Sequence, residues 1–478
     1  MRATLGGLVV VSAWASAALA APALAPATVP IRADQVVEHA EAVGTLYLNR
    51  CRGGCTVVKQ GINDARTRAS TVPEGENGEQ FTISEFAWGD DEWDAIVHCV
   101  KEVYSPYDIV ITDELPAPGV SYNESIIAGL PSEIGWTGVG GVAPVLTDCQ
   151  PYNYTINYTF ANLWGPSDRV FELCAVAAQE SGHSFGLDHT FAFADGSSGC
   201  RDPMTYRGDC GGQKFFRNDI ATCGEYQPRA CTCGGTQNAH QKLISVLGEG
   251  TPITAPPTVT VTQPSPGATI DVGAVIAATA FAQRGIAKIE VWLNGYKWAT
   301  LDGVAWGPDG QPEATYTMEL PASVPDGVID IVLEAKDDID VTTTTEPVRV
   351  TKGAPCVTAE TCAPGQRCDG EGRCLWDPPV GELGDPCTYP QYCKTEVCGG
   401  TASEQRCTRS CILGISDSCP TGFSCIEGEM PSGMNGVCWP ADALDTDDGW
   451  CSAGNGAGSR TSVVLLALAL VMLTRRRR

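Results

Sequence analysis

The sequence predicts a multidomain chain with an α+β N-terminal domain, an all-β sandwich and a small disulfide-rich C-terminal region. Two observations lead to this division. Ten of the 23 cysteines lie between Cys51 and Cys233, none follows until Cys356, twelve run from there to Cys438, and Cys451 is left over. The apolar pattern also changes after Gly250, from helical spacing to short alternating runs. With 478 residues there is room for about three domains. Even cysteine counts let each region close its own bridges.

The chain opens with Met1-Arg2 and an apolar stretch over residues 5–20 that ends in Ala18, Leu19 and Ala20. Residues 1–20 therefore read as a secretory signal peptide with a small-residue cleavage box. Export favours disulfides over free thiols or cysteine–zinc sites, and Cys51–Cys55 and Cys200–Cys210 are the local candidate pairs. A formal net charge of −26 argues against nucleic acid and anionic membrane surfaces as partners. The N-terminal segment 21–44 is too short and irregular to assign.

Residues 45–250 carry the α+β pattern. Residues 45–49 supply the first strand. Trp93, Ile96, Val97, Val100 and Tyr104 recur at helical spacing, with His98 on the opposite, solvent side. Strands follow at 107–112, 141–146 and 153–163, then a helix over 168–185 with Leu173, Val176, Glu180 and His183 on one stripe. A closing helix spans 238–247 and carries His240.

The second helix holds the chemistry. Residues 179–189 read Gln-Glu-Ser-Gly-His-Ser-Phe-Gly-Leu-Asp-His. Positions 179 and 183 are one helical turn apart, so ligands there can grip one ion. Glu180 beside them can take a proton from a metal-bound water. Gly186 lets the chain leave the helix through a left-handed conformation, and His189 returns from outside as a further ligand.

With Glu180, His183, Gly186 and His189 in register and Met204 following in Cys-Arg-Asp-Pro-Met-Thr-Tyr, this stretch resembles the metzincin zinc-protease signature, His-Glu-x-x-His-x-x-Gly-x-x-His plus a Met-turn. Gln179 stands where the first histidine belongs. Its amide oxygen can bind a metal, though less well than imidazole. The resemblance covers about 200 residues, an ordinary domain size. It implies Zn2+ held by His183, His189 and Gln179, Glu180 as general base, Met204 as a hydrophobic floor and Tyr206 as a second catalytic group steadying the transition state. Asp188 is expected to orient the loop rather than bind metal.

Residues 251–257, Thr-Pro-Ile-Thr-Ala-Pro-Pro, form a stiff linker. Strand-like runs at 258–262, 275–281, 287–293, 314–320 and 328–335, separated by turns such as Pro264-Ser-Pro-Gly and Asn294-Gly, predict an immunoglobulin-like sandwich over 258–353. It resembles bacterial modules that follow secreted enzymes. Residues 354–440 are cysteine-dense and poor in aliphatics, so bridges must hold them.

The tail, 441–478, places Cys451 before a Gly/Ser stretch, apolar residues 463–473 and four terminal arginines. It is similar to the MYXO-CTERM sorting tails of exported myxobacterial proteins. That likeness implies processing and lipid attachment at Cys451; a plain single-pass transmembrane anchor is the alternative. The expected protein is an exported zinc endopeptidase, attached to the cell surface or outer membrane or released, acting on protein or peptide substrates. The alternative is a catalytically inactive adhesin or binding protein on a metzincin scaffold.

Overall fold

Helix α1 (Asp90–Tyr104) forms where the apolar stripe predicts it, burying Trp93, Ile96, Val97, Val100 and Val103. Asp90, Asp91 and Glu92 fill its first turn, where carboxylates complement the helix dipole. The second expected helix is α2 (Arg169–His183). The third, α3 (Ala239–Leu247), is capped by the Asn238 side chain accepting from the Gln241 backbone N–H at 2.9 Å. The computed structural model describes residues 25–39, 44–167, 169–307, 309–400, 404–411, 413, 418–427 and 436–441. The expected signal peptide and sorting tail, Cys451 included, lie outside the described residues. Among those described, no helix is long and apolar enough to cross a membrane.

Six strands make the N-terminal sheet: β1 (Ala25–Ile31), β2 (Thr45–Asn49), β3 (Val110–Thr112), β4 (Asn123–Ile127), β5 (Val139–Leu146) and β6 (Ile156–Thr159). Their spatial order is β1-β5-β6-β4-β2-β3. β6, β4, β2 and β3 run parallel, β5 runs antiparallel to β6, and β1 runs parallel to β5. The first strand is thus not 45–49 but Ala25–Ile31, in a segment the sequence left unassigned. Its alternating pattern is obscured by Pro26 and Pro30, which cannot donate to a ladder and suit only an edge.

Both α1 and α2 pack on one face of this sheet, sharing a core that includes Leu46, Leu48, Trp93, Val100, Leu173 and Ala177. The Cys99–Cys174 bridge ties the two helices together. Burying this stripe stabilises the domain by roughly 1.5–3 kcal/mol for each large apolar side chain enclosed.

The Ig-like module is two sheets. One contains β7 (Thr258–Gln263), β9 (Val275–Phe281) and β12 (Ala314–Glu319); the other is built on β8 (Thr269–Ile270), β15 (Val348–Lys352), β13 (Gly327–Lys336), β10 (Lys288–Leu293) and β11 (Tyr296–Asp302), with β14 (Thr342–Thr344) pairing β13. The β10–β11 turn uses Asn294 at φ 51° and Gly295 at φ 78°, the two positive-φ residues a tight hairpin demands. Arg284 of this module donates to the Phe216 carbonyl at 3.0 Å and pairs with Asp338 at 3.0 Å, while Arg217 donates to the Arg284 carbonyl at 2.6 Å. These buried contacts fix the module against the N-terminal domain.

The ten N-terminal cysteines pair among themselves as 51–55, 99–174, 149–233, 200–210 and 223–231. Both local candidate pairs are therefore formed. The cysteine-rich region is not one piece. Residues up to Trp376 belong to the first compact unit and those from Asp377 to the second. Cys356–Cys368 and Cys362–Cys374 lie in the first, where Arg373 pairs with Asp330 at 2.7 Å and the Val328 N–H reaches the Gly372 carbonyl. The second unit holds Cys387–Cys398, Cys393–Cys407, Cys411–Cys425 and Cys419–Cys438, with two short hairpins.

Candidate metal centre

Helix α2 ends at His183, and the chain turns back through Gly186 at φ 82°. A Cβ at that position would sit 2.2 Å from the Cys149 carbonyl oxygen, so only glycine fits. The turn brings His189 to His183, with their Nε2 atoms 3.1 Å apart and their rings edge to face at 4.7 Å. Both rings are buried, at 1% and 3% exposure.

The other ring nitrogens decide what this contact is. His183 Nδ1 lies 2.8 Å from the Leu187 carbonyl and His189 Nδ1 lies 2.8 Å from a Glu225 carboxylate oxygen. Neither partner can donate, so each neutral ring carries its proton on Nδ1. Two Nε2 lone pairs are then left converging on one point. Burial, with His189 second, lowers the His183 pKa from 6.5 to about 3, so that ring is neutral at pH 7.

A polar frame holds His189. Arg229 reaches Glu225 at 2.6 Å and both Asp188 oxygens at 2.7 Å. Asp188 also accepts from the His189 backbone N–H at 2.7 Å and from Thr232. Hydrogen bonds from His189, then Arg229, lower the Glu225 pKa to about 2. Asp188 is held below its usual range: Arg229, the Thr232 and His189 backbone N–H groups and the Thr232 hydroxyl outweigh the burial that raises it. Sequence reading missed Glu225 and Arg229. The only hint was an acid four residues before an arginine, which is common on any surface.

Gln179 and Glu180 are also enclosed, at 2% and 0% exposure. The Gln179 amide nitrogen and both Glu180 oxygens have no protein partner. Gly141 in β5 makes room for the carboxylate, since a Cβ there would fall 2.6 Å from Glu180 Oε1. Burial alone raises the Glu180 pKa well above the carboxylate range. Tyr206 stacks 4.6 Å from the His189 ring; burial, then the nearby Glu180 charge, drives its hydroxyl pKa up, so it keeps its proton. Met204 is wholly buried beneath α2, and a Cβ on Gly182 would meet its sulfur at 2.8 Å.

The remaining histidines lie elsewhere. His98 is 68% exposed on α1, facing solvent as expected. His240 is buried on α3 with its Nδ1 3.0 Å from the Tyr107 hydroxyl. His39 lies in a two-residue strand with Glu38.

Known proteins overlap parts of this chain. The family model described as Bacterial Ig domain matches residues 257–332, so the sandwich is an Ig-like module. No curated protein matches the chain. Among solved structures, the fibronectin(III)-like modules of Clostridium thermocellum CbhA share 18% identity, covering 20% of this chain and 98% of that one at a TM-score of 0.15. A Jonesia denitrificans lytic polysaccharide monooxygenase shares 14%, covering 34% and 99% at 0.16. A Listeria innocua beta-glucosidase shares 11%, covering 66% of this chain but only 47% of that one at 0.17.

Proposed function

We propose that residues 45–250 are a metzincin-type zinc endopeptidase domain, carried by an exported protein that attaches to the cell surface through its tail and Cys451. The convergence of two unprotonated Nε2 atoms at 3.1 Å carries this reading. Two nitrogens on a tetrahedral zinc, each about 2.0–2.1 Å from the ion, stand about 3.3 Å apart, so the pair fits the metal. Glu225 behind His189 and the Leu187 carbonyl behind His183 are the outer acceptors that metal-binding histidines use. Gln179, one turn before His183, would be the third ligand through its amide oxygen.

Zinc bound there supplies Lewis acidity toward a peptide carbonyl and makes a coordinated water more acidic. Glu180 accepts the proton and passes it to the leaving amine. The enclosure that raises its proton affinity suits both halves of that transfer. Tyr206 stays protonated and can donate to charge growing on the carbonyl oxygen. Met204 fills the space beneath the histidines with an apolar side chain.

Gln179 favours the other reading, an inactive surface binding protein on the same scaffold. Peptidase assays on the purified chain separate the two. The endopeptidase reading expects cleavage that Glu180→Ala reduces at least about a hundredfold. Cleavage indifferent to Glu180, or absent from a zinc-loaded chain, overturns it.

A further inference from the structure

Strand β1 is the outermost strand of the N-terminal sheet, and it lies along the cleft that holds the two histidines. Its register on β5 is continuous: Thr28 pairs with Ala143, Val29 with Pro144, Pro30 with Val145 and Ile31 with Leu146. Alternate residues of a strand project from one face. Thr28 and Pro30 share such a face, and both line the cleft of about 130 Å³ that His183 and His189 also line. β1 therefore walls the histidine pair as well as extending the sheet.

Without residues 25–31, β5 would be the sheet edge. Its unpaired N–H and C=O groups would then lie beside the histidines, as a template for an extended peptide. β1 is suited to cover that edge and also to leave it. Pro26 and Pro30 give no N–H to the ladder, which weakens it. The strand is anchored just beyond, where Ile31 and Val36 pack with Leu146 and Tyr152. Between the strand and that second anchor, Arg32, Ala33 and Asp34 are exposed. The strand contains no His, Cys, Asp or Glu, so it covers the cleft by backbone pairing and not by binding a metal.

We propose that residues 25–31 are an intramolecular strap that occupies a peptide-docking edge on β5 and holds the cleft closed until the chain is cut near Arg32–Asp34. The proposal rests on reading the cleft as a peptide-binding one. A tethered strand has an effective concentration on the order of millimolar, so a free peptide competes poorly until the tether is cut.

The test inserts a site-specific protease sequence between Ala33 and Asp34 of the full chain. The folded protein is cut, the released segment is removed under mild urea, and mass spectrometry confirms its loss. Near-UV circular dichroism establishes that the rest stays folded. The probe is a fluorescent peptide with the sequence of residues 25–31. It should bind the cut chain at least about tenfold tighter than the uncut chain, and hydrogen exchange at Val142, Ala143 and Val145 should quicken once the strand is gone. Equal binding to both forms, or unchanged exchange on β5, overturns the strap. Zinc content and peptidase activity are measured on the same samples. A cut chain that binds the peptide yet cleaves nothing refutes the endopeptidase reading and leaves the strap standing.

Discussion

His183 and His189 face each other through unprotonated Nε2 atoms 3.1 Å apart, because Leu187 and Glu225 claim the protons of both Nδ1 atoms. Two lone pairs held this close repel unless a cation lies between them. The fold enforces the contact through buried rings, a glycine turn and an Arg229–Asp188–Glu225 frame.

Glu225 should therefore matter to metal binding although it never touches the ion. Glu225→Gln keeps an acceptor for His189 Nδ1 but removes the charge and the Arg229 ion pair. Zinc affinity, measured by chelator competition, should fall about 10–100-fold. Unchanged affinity would mean that Leu187, Asp188 and the backbone hold the rings unaided.

Gln179→His restores an imidazole one turn before His183 on an unchanged helix. It should tighten zinc binding and keep or raise peptidase activity. A variant that gains zinc but cuts no peptide would point to the inactive-scaffold reading.

Gly186→Ala should be costly. Its φ of 82° is strained for alanine, and the added methyl would meet the Cys149 carbonyl at 2.2 Å. A loss of at least about 2 kcal/mol in urea unfolding is expected, with weaker zinc binding as His189 is displaced. A loss below about 0.5 kcal/mol would show that the turn relaxes freely.

His240 gives a pH prediction away from the metal centre. Burial, then the Arg284 charge, lowers its pKa from 6.5 to about 4 in the folded chain. Between those values the unfolded chain binds a proton that the folded chain refuses, so stability rises with pH across that window. The slope from this one group approaches about 1.4 kcal/mol per pH unit. His240→Gln should flatten the pH dependence of the urea midpoint between pH 4 and 6.5; an unchanged slope would contradict the shift.

The sequence was informative where periodicity or turn chemistry spoke. The stripe from Trp93 to Tyr104, the Asn238 cap and the Asn294-Gly295 hairpin each specify local structure through a short-range rule. The spacing of Gln179, Glu180, His183 and His189 likewise follows from one helix and one turn. Glu225 was not legible, because its contact with His189 is tertiary, across 36 residues. β1 was hidden for another reason: two prolines masked its alternation, and pairing on β5 creates the strand. The cysteine-rich region looked continuous, but Arg373 and Gly372 join its first part to the Ig-like module through contacts that spacing does not encode.

The metal itself is the most direct test. Elemental analysis of the purified chain after mild dialysis should find about one zinc per molecule, falling below about a tenth of an equivalent in His183→Ala and His189→Ala. A wild-type chain that carries less than about a tenth of an equivalent, and takes up none when zinc is added, would contradict the metal centre and the peptidase built on it.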